Sequence, residues 1–260
     1  MPSAPPTPQH YVALGDSFTS APLVPVTDVA NGCFRSSANY PALVARAFDA
    51  ELEDRSCGGA QTIHLTTSQF PGVLPQLPAV TPAVDLVTIG LGGNDEGVFG
   101  RLTSRCTELR ATDPEGAPCE ASMNAGGHDV LLTALDNTTK KLTTALDEVH
   151  SMAPRAKVLV VGYPQIVSAE HACSKLPLAR GDYAYAAKIN VALNEALRKA
   201  AEATDSTYVD VWSWSRGHDI CSADPWVNGS VTDQKRAVAY HPFAGEQRAV
   251  ADLVLAAVKG

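Results

Sequence analysis

His10-Tyr11-Val12-Ala13-Leu14-Gly15-Asp16-Ser17 is the stretch whose reading decides the fold. A short apolar run that ends in a glycine predicts a buried strand feeding a turn, with Ser17 just past the strand's carboxyl end. The pattern returns further along. Asp85-Leu86-Val87-Thr88-Ile89-Gly90-Leu91 runs into Gly92-Gly93 and then Asn94-Asp95, Ala156 to Gly162 follows Pro154, and Tyr208 to Val211 makes a fourth run. Between them lie helical periods. A helix is expected from about Asn39 to Leu52, where Leu43, Val44 and Ala47 share a face behind Tyr40-Pro41. A longer one is expected over Val130 to Val149, with Leu142, Ala145, Leu146 and Val149 at three- and four-residue steps. Asp182 to Ala203 carries an apolar stripe through Tyr185, Ile189, Leu193 and Ala196, and a last helix begins near Phe243. The segment Phe99 to Gly127 shows no sustained period and reads as an excursion tied by its two cysteines. Strands alternating with helices imply right-handed crossovers and a sheet covered on both faces. The expected class is α/β, a three-layer α/β/α sandwich around a central, mostly parallel, flavodoxin-like sheet. Ligands of such sheets bind beyond the carboxyl ends of the strands, where Ser17 and Asn94 both fall.

With 260 residues, 45% of them hydrophobic, the chain can bury a large core. One domain over residues 10–260 is expected, after a Pro-rich segment 1–9 expected to be disordered. A formal charge of −8 argues against nucleic acid, whose binding draws on clustered Lys and Arg. No apolar run approaches the roughly 20 residues of a membrane span. Met1 to Gln9 lacks the basic start and apolar stretch of a signal peptide, so the chain is either cytoplasmic or freed of its export signal. The cysteines weigh between these. Cys33, Cys57, Cys106, Cys119, Cys173 and Cys221 show no C-x-x-C or His partner of zinc type, so the even count favours three disulfides and secretion over six buried thiols. Sequence leaves the pairing open. Sequential pairing closes the shortest loops and is the preferred reading.

A serine becomes a nucleophile when a base takes its proton and donors await the oxyanion on the substrate carbonyl. Gly15-Asp16-Ser17 places a hydroxyl on a strand-to-helix turn. Gly59, in Ser56-Cys57-Gly58-Gly59-Ala60, offers a backbone amide with no side chain in the way. Asn94 offers a side-chain amide after Gly92-Gly93, and His241, in Tyr240-His241-Pro242, offers a base. Each alone is an ordinary turn, loop or surface residue. Their joint order on an alternating α/β chain is specific.

That order resembles the SGNH hydrolase superfamily, the GDSL esterases and lipases, from Tyr11 to the last helix. The resemblance implies Ser17 as nucleophile, His241 as general base, and an oxyanion hole formed by the Ser17 and Gly59 N–H groups and the Asn94 side chain. It implies a serine hydrolase that cleaves carboxylic esters, fatty-acyl esters first, through an acyl-enzyme. The cysteine arrangement is similar to that of secreted bacterial esterases, lipases and phospholipases of the superfamily. One position departs from the pattern: where many members carry an acid three residues before the histidine, this chain has Val238. The carbonyl of Val238 or Ala239 is the expected partner of the imidazole, and Asp233 is the competing carboxylate.

No cofactor is implied. His64, His128, His150, His171 and His218 lack metal-ligand spacing, so no metal is expected. The expected partner is a small-molecule or lipid ester, with at most a transient contact to a lipid surface, and the expected state is a monomer. Phe70 to Pro78 reads as the lining of an acyl groove or as a connecting loop, and Trp226 as a neighbour of the acyl pocket. Phospholipase A/B-type hydrolysis and carbohydrate O-acetyl ester hydrolysis are the alternative activities. A non-catalytic binding module on the same fold is the reading from a different class, and a flavodoxin-like nucleotide site lacks its glycine loop.

Overall fold

A computed structural model describes residues 7–260. Among the described residues there are seven strands: β1 (His10–Gly15), β2 (Thr27–Asp28), β3 (Arg35–Ser36), β4 (Glu51–Asp54), β5 (Leu86–Gly90), β6 (Lys157–Val161) and β7 (Thr207–Val209). Five of them form one sheet in the order β4-β1-β5-β6-β7, and every neighbouring pair is parallel. β2 and β3 make a separate antiparallel hairpin. Five helices flank the sheet or begin at its edge: α1 (Ser17–Ser20), α2 (Tyr40–Phe48), α3 (Val130–Met152), α4 (Asp182–Ala203) and α5 (Ala244–Lys259).

Alternate residues of the strands enter two different cores. Val12, Leu14, Val87, Ile89, Val158 and Val160 pack on the side of α3 and α4. Tyr11, Ala13, Leu86, Leu159 and Val161 pack on the side of α2 and α5. A strand buried on both faces reads as a continuous apolar run, which is why these strands are legible in the sequence. The strand order reverses direction at β1, so the crossovers fall on opposite faces to its two sides and leave a crevice between the carboxyl ends of β1 and β5. Ser17 follows β1 and Asn94 follows β5.

Several boundaries differ from the expectations. The helix expected over 39–52 stops at Phe48, because Asp49 adopts a left-handed conformation (φ 54°) and donates its N–H back to the last turn. Residues 51–54 then form β4, an edge strand whose alternating Glu-Leu-Glu-Asp pattern carries little apolar signal. The fourth run ends at Val209, where Asp210 caps a short helix. The 98–123 stretch is a chain of short helical pieces held by the Cys106–Cys119 bridge. Of the segment 1–9, residues 1–6 lie outside the described residues. Pro8 is buried and the Gln9 N–H bonds the Asp85 carboxylate at 2.9 Å, so the ordered chain includes these residues as well as those from His10 onward. The disulfides are sequential: Cys33–Cys57, Cys106–Cys119 and Cys173–Cys221.

Candidate active site

The serine turn is built by its neighbours. Asp16 caps α1, its Oδ1 accepting the Phe18 N–H at 2.8 Å, and its own N–H bonds the Gly90 carbonyl at 3.0 Å. Gly15 is required by close approach: a Cβ there would stand 2.1 Å from Thr19 Oγ1 and 2.9 Å from the Gly90 carbonyl. Gln76 clamps the same glycine, accepting its N–H at 2.8 Å and donating to its carbonyl at 3.0 Å. Ser17 is therefore the first residue of α1, nearly buried, and among the described residues its backbone N–H has no acceptor.

The turn at Gly58-Gly59 is tied to the serine turn. The Cys57 N–H donates to the Gly15 carbonyl at 3.0 Å, and the Gly58 N–H to the carbonyl of Cys33, its neighbour across the disulfide. Gly59 takes φ +76°, which a side chain would strain, and its N–H also has no acceptor among the described residues. Asn94 lies between the two turns. Its Nδ2 donates to the Ala60 carbonyl at 3.1 Å and approaches Asp16 Oδ2 at 3.4 Å. The adjacent Asp95 is consumed by structure, accepting from the Thr62 N–H, the Thr62 hydroxyl and the Thr138 hydroxyl.

His241 reaches the serine turn from the far end of the chain. Its ring stacks on Phe18, the residue after Ser17, with centroids 5.9 Å apart, and meets the edge of Phe99 at 5.8 Å. The Nδ1 lies 2.7 Å from the Ala239 carbonyl. Of the two expected carbonyls it is therefore Ala239 that meets the imidazole. The Val238 carbonyl instead accepts the His241 backbone N–H at 3.2 Å and the Asn228 amide at 3.2 Å. Tyr240 makes this possible by taking φ 63°, a conformation costly for a bulky residue. The Asp233 carboxylate accepts the Lys235 N–H at 3.0 Å, and among the described residues it makes no bond to the His241 ring. Burial lowers the His241 pKa below the ordinary 6.5, opposed by the Ala239 carbonyl.

Other residues complete the site without being legible in the sequence. The Tyr163 hydroxyl donates to Asp16 Oδ2 at 2.5 Å and accepts the Gly93 N–H at 2.9 Å, joining the ends of β1, β5 and β6. Burial raises the Asp16 pKa to about 7 against the opposing bonds from Tyr163 and Phe18. Gln247 on α5 donates to the Phe18 carbonyl at 2.9 Å and accepts the Tyr40 N–H at 2.7 Å, fixing α5 to α1 and α2. The only sequence hint for Tyr163 is its place just after Gly162, at a strand's carboxyl end.

An apolar cleft opens beside Gly93 and Phe99, with Val98, Leu102, Ile166 and Leu178 among its walls. Residues 70–78 do not line it, and neither does Trp226, which stacks on His218 at 4.2 Å. The cleft lies between the 98–103 helical turns and the 166–193 region.

Known proteins share this sequence pattern and this fold. Residues 13–244 match the model of the GDSL-like Lipase/Acylhydrolase family. The chain is 42% identical over 246 residues to Lipase 2 of Streptomyces coelicolor, covering 92% of this chain and 82% of that protein. It is similar to the crystal structure of an extracellular lipase from Streptomyces rimosus (TM-score 0.79, 26% identity, 97% of this chain and 100% of that one). It is also similar to phospholipase A1 from Streptomyces albidoflavus NA297 (TM-score 0.78, 27% identity, 97% and 100%).

Proposed function

This chain belongs to the GDSL-like lipase/acylhydrolase family and is a lipase/esterase-type hydrolase, and from that premise we propose that it cleaves fatty-acyl carboxylic esters through an acyl-enzyme on Ser17. His241 Nε2 takes the Ser17 proton as Oγ attacks the ester carbonyl. The resulting oxyanion accepts from the Ser17 N–H, the Gly59 N–H and the Asn94 Nδ2. Collapse breaks the ester C–O bond, and the imidazolium gives its proton to the departing alcohol. Water, deprotonated by His241, then attacks the acyl-enzyme, and the acid leaves with Ser17 regenerated.

The observation that carries this reading is the His241 Nδ1 held 2.7 Å from the Ala239 carbonyl, above the serine turn. A carbonyl can only accept, so Nδ1 carries the proton and Nε2 is left free as the base. Likeness to Lipase 2 of Streptomyces coelicolor and to the extracellular lipase of Streptomyces rimosus supports a fatty-acyl group over an acetyl group on a carbohydrate. Likeness to a phospholipase A1 supports phospholipids among the esters. Three disulfides and likeness to an extracellular lipase support secretion, and the enzyme is read as a monomeric catalytic domain.

The test is hydrolysis of p-nitrophenyl esters from acetate to palmitate by the wild type and Ser17→Ala. Activity that favours longer acyl chains and falls by at least about a thousandfold in the variant is expected. A rate that Ser17→Ala leaves unchanged refutes the mechanism, and a strict acetate preference refutes the fatty-acyl assignment.

A further inference from the structure

Two segments that carry Ser17 and Gly59 are almost without charge. The chain is 18% charged, yet residues 56–84 contain no Asp, Glu, Lys or Arg, and residues 17–34 contain only Asp28. The same two stretches carry six of the nine large apolar side chains that stand exposed among the described residues: Val26, Val29, Phe34, Ile63, Phe70 and Leu74, each at least 40% exposed. Water-facing apolar groups are ordinary when scattered. Here they are concentrated in two segments that are fastened to each other.

The fastening is specific. Cys33–Cys57 joins the segments covalently. The Phe70 ring lies over Gly32, 3.6 Å from where its Cβ would be, and the Phe34 ring lies 3.8 Å from the corresponding point at Gly58. Gln69 donates to the Gly58 carbonyl at 2.7 Å. Phe34 and Phe70 thus flank the Gly58-Gly59 turn whose N–H is proposed to face the oxyanion. His64, the one titratable side chain of 56–84, accepts the Gln61 N–H through Nδ1, and its pKa is lowered by burial, so it adds no charge at neutral pH.

We infer that this face, formed by residues 22–34 and 63–74, is where the enzyme settles on the surface of an aggregated ester lipid whose headgroup carries no net charge. The inference rests on the proposed acyl-ester activity for its occupant, and the patch's continuity with the Gly59 turn puts the crevice at the lipid boundary. Charge decides the kind of lipid. A protein of net charge −8 is repelled by anionic surfaces, and the face holds no Lys or Arg to counter that. Attraction must come from burial of apolar area, which salt does not screen.

The experiment measures flotation with vesicles of dialkyl-ether phosphatidylcholine, which have no carboxylic ester to cleave, using wild type, the Val29→Asp/Leu74→Asp double variant and Trp214→Ser. Trp214 is also exposed but lies past β7, at the opposite edge of the sheet from β4. Each protein is also assayed on monomeric p-nitrophenyl butyrate, which reports folding and chemistry independently. The expected result is that the double variant partitions at least tenfold more weakly while its butyrate rate stays within twofold. Trp214→Ser should partition like wild type, and 0.5 M salt should not release the wild type. A wild type that hydrolyses butyrate but does not partition overturns this inference alone. Partition without any esterase activity refutes the proposed function instead. Binding only to anionic vesicles, equal loss in Trp214→Ser, or a dimer that the double variant dissociates would each overturn the assignment to neutral lipid.

Discussion

The Nδ1 of His241 and the carbonyl oxygen of Ala239 lie 2.7 Å apart, so a main-chain group two residues upstream orients the proposed base. A carboxylate in that place would add charge stabilisation to the imidazolium, while a carbonyl supplies orientation and tautomer control. Asp233, the carboxylate nearest in sequence, is engaged with the Lys235 N–H. Asp233→Asn should therefore keep kcat/KM on p-nitrophenyl butyrate within about threefold, against the roughly 10⁴-fold loss that follows removal of a triad carboxylate.

The pH dependence follows from burial of the same histidine. Neutral imidazole is the active form, and burial holds the His241 pKa below 6.5. The acid limb of kcat/KM should then lie below pH 6.5. Burial raises the Asp16 pKa to about 7, and a second inflection there should disappear in Asp16→Asn. A single acid limb above pH 7 that survives in Asp16→Asn would contradict the assignment.

Asn94 is the one proposed oxyanion donor that mutation can remove cleanly, because the other two are backbone groups. Asn94→Ala should lower kcat by about 10²–10³-fold with little change in KM, as expected for a donor that acts on the developing charge. Steady-state kinetics on a soluble ester separate the two parameters. An unchanged kcat would remove Asn94 from the oxyanion hole.

Glu246 predicts a stability effect with a defined sign. It is buried on α5 with its Oε2 accepting the Gln247 amide at 2.7 Å, and burial raises its pKa from 4.5 to about 8. Between those values the folded state binds more protons than the unfolded, so the stability this group contributes is present below pH 4.5 and is lost as pH rises toward 8. Glu246→Gln keeps an acceptor for Gln247 without the charge. It should melt at about the wild-type temperature at pH 4.5 and at least about 5 °C higher at pH 8. Equal melting temperatures at both pH values would contradict the burial argument.

What is legible in the sequence divides along physical lines. β1, β5 and β6 are buried on both faces, so their residues are apolar and they run into glycines. β4 escapes notice because an edge strand needs only one apolar residue, Leu52, and because the helix stop before it is Asp49 in a conformation usually left to glycine. Ser17, Gly59, Asn94 and His241 are visible because the chemistry proposed for them restricts residue type. Tyr163 and Gln76 are not, since each works through a contact with a residue 61 or more positions away. The choice of Ala239 over Val238 turns on the left-handed Tyr240, which no residue preference announces.

Trapping would show whether Ser17 forms the covalent intermediate on which the whole mechanism depends. The protein would be incubated with a p-nitrophenyl alkylphosphonate, and its intact mass and peptide map recorded beside those of Ser17→Ala and His241→Ala. One phosphonyl group is expected on the peptide containing Ser17, with esterase activity lost in proportion to labelling. Ser17→Ala should take no label, and His241→Ala should be labelled at least about a hundredfold more slowly. Full inactivation with the label on a different residue, or undiminished labelling of Ser17→Ala, would contradict covalent catalysis by Ser17.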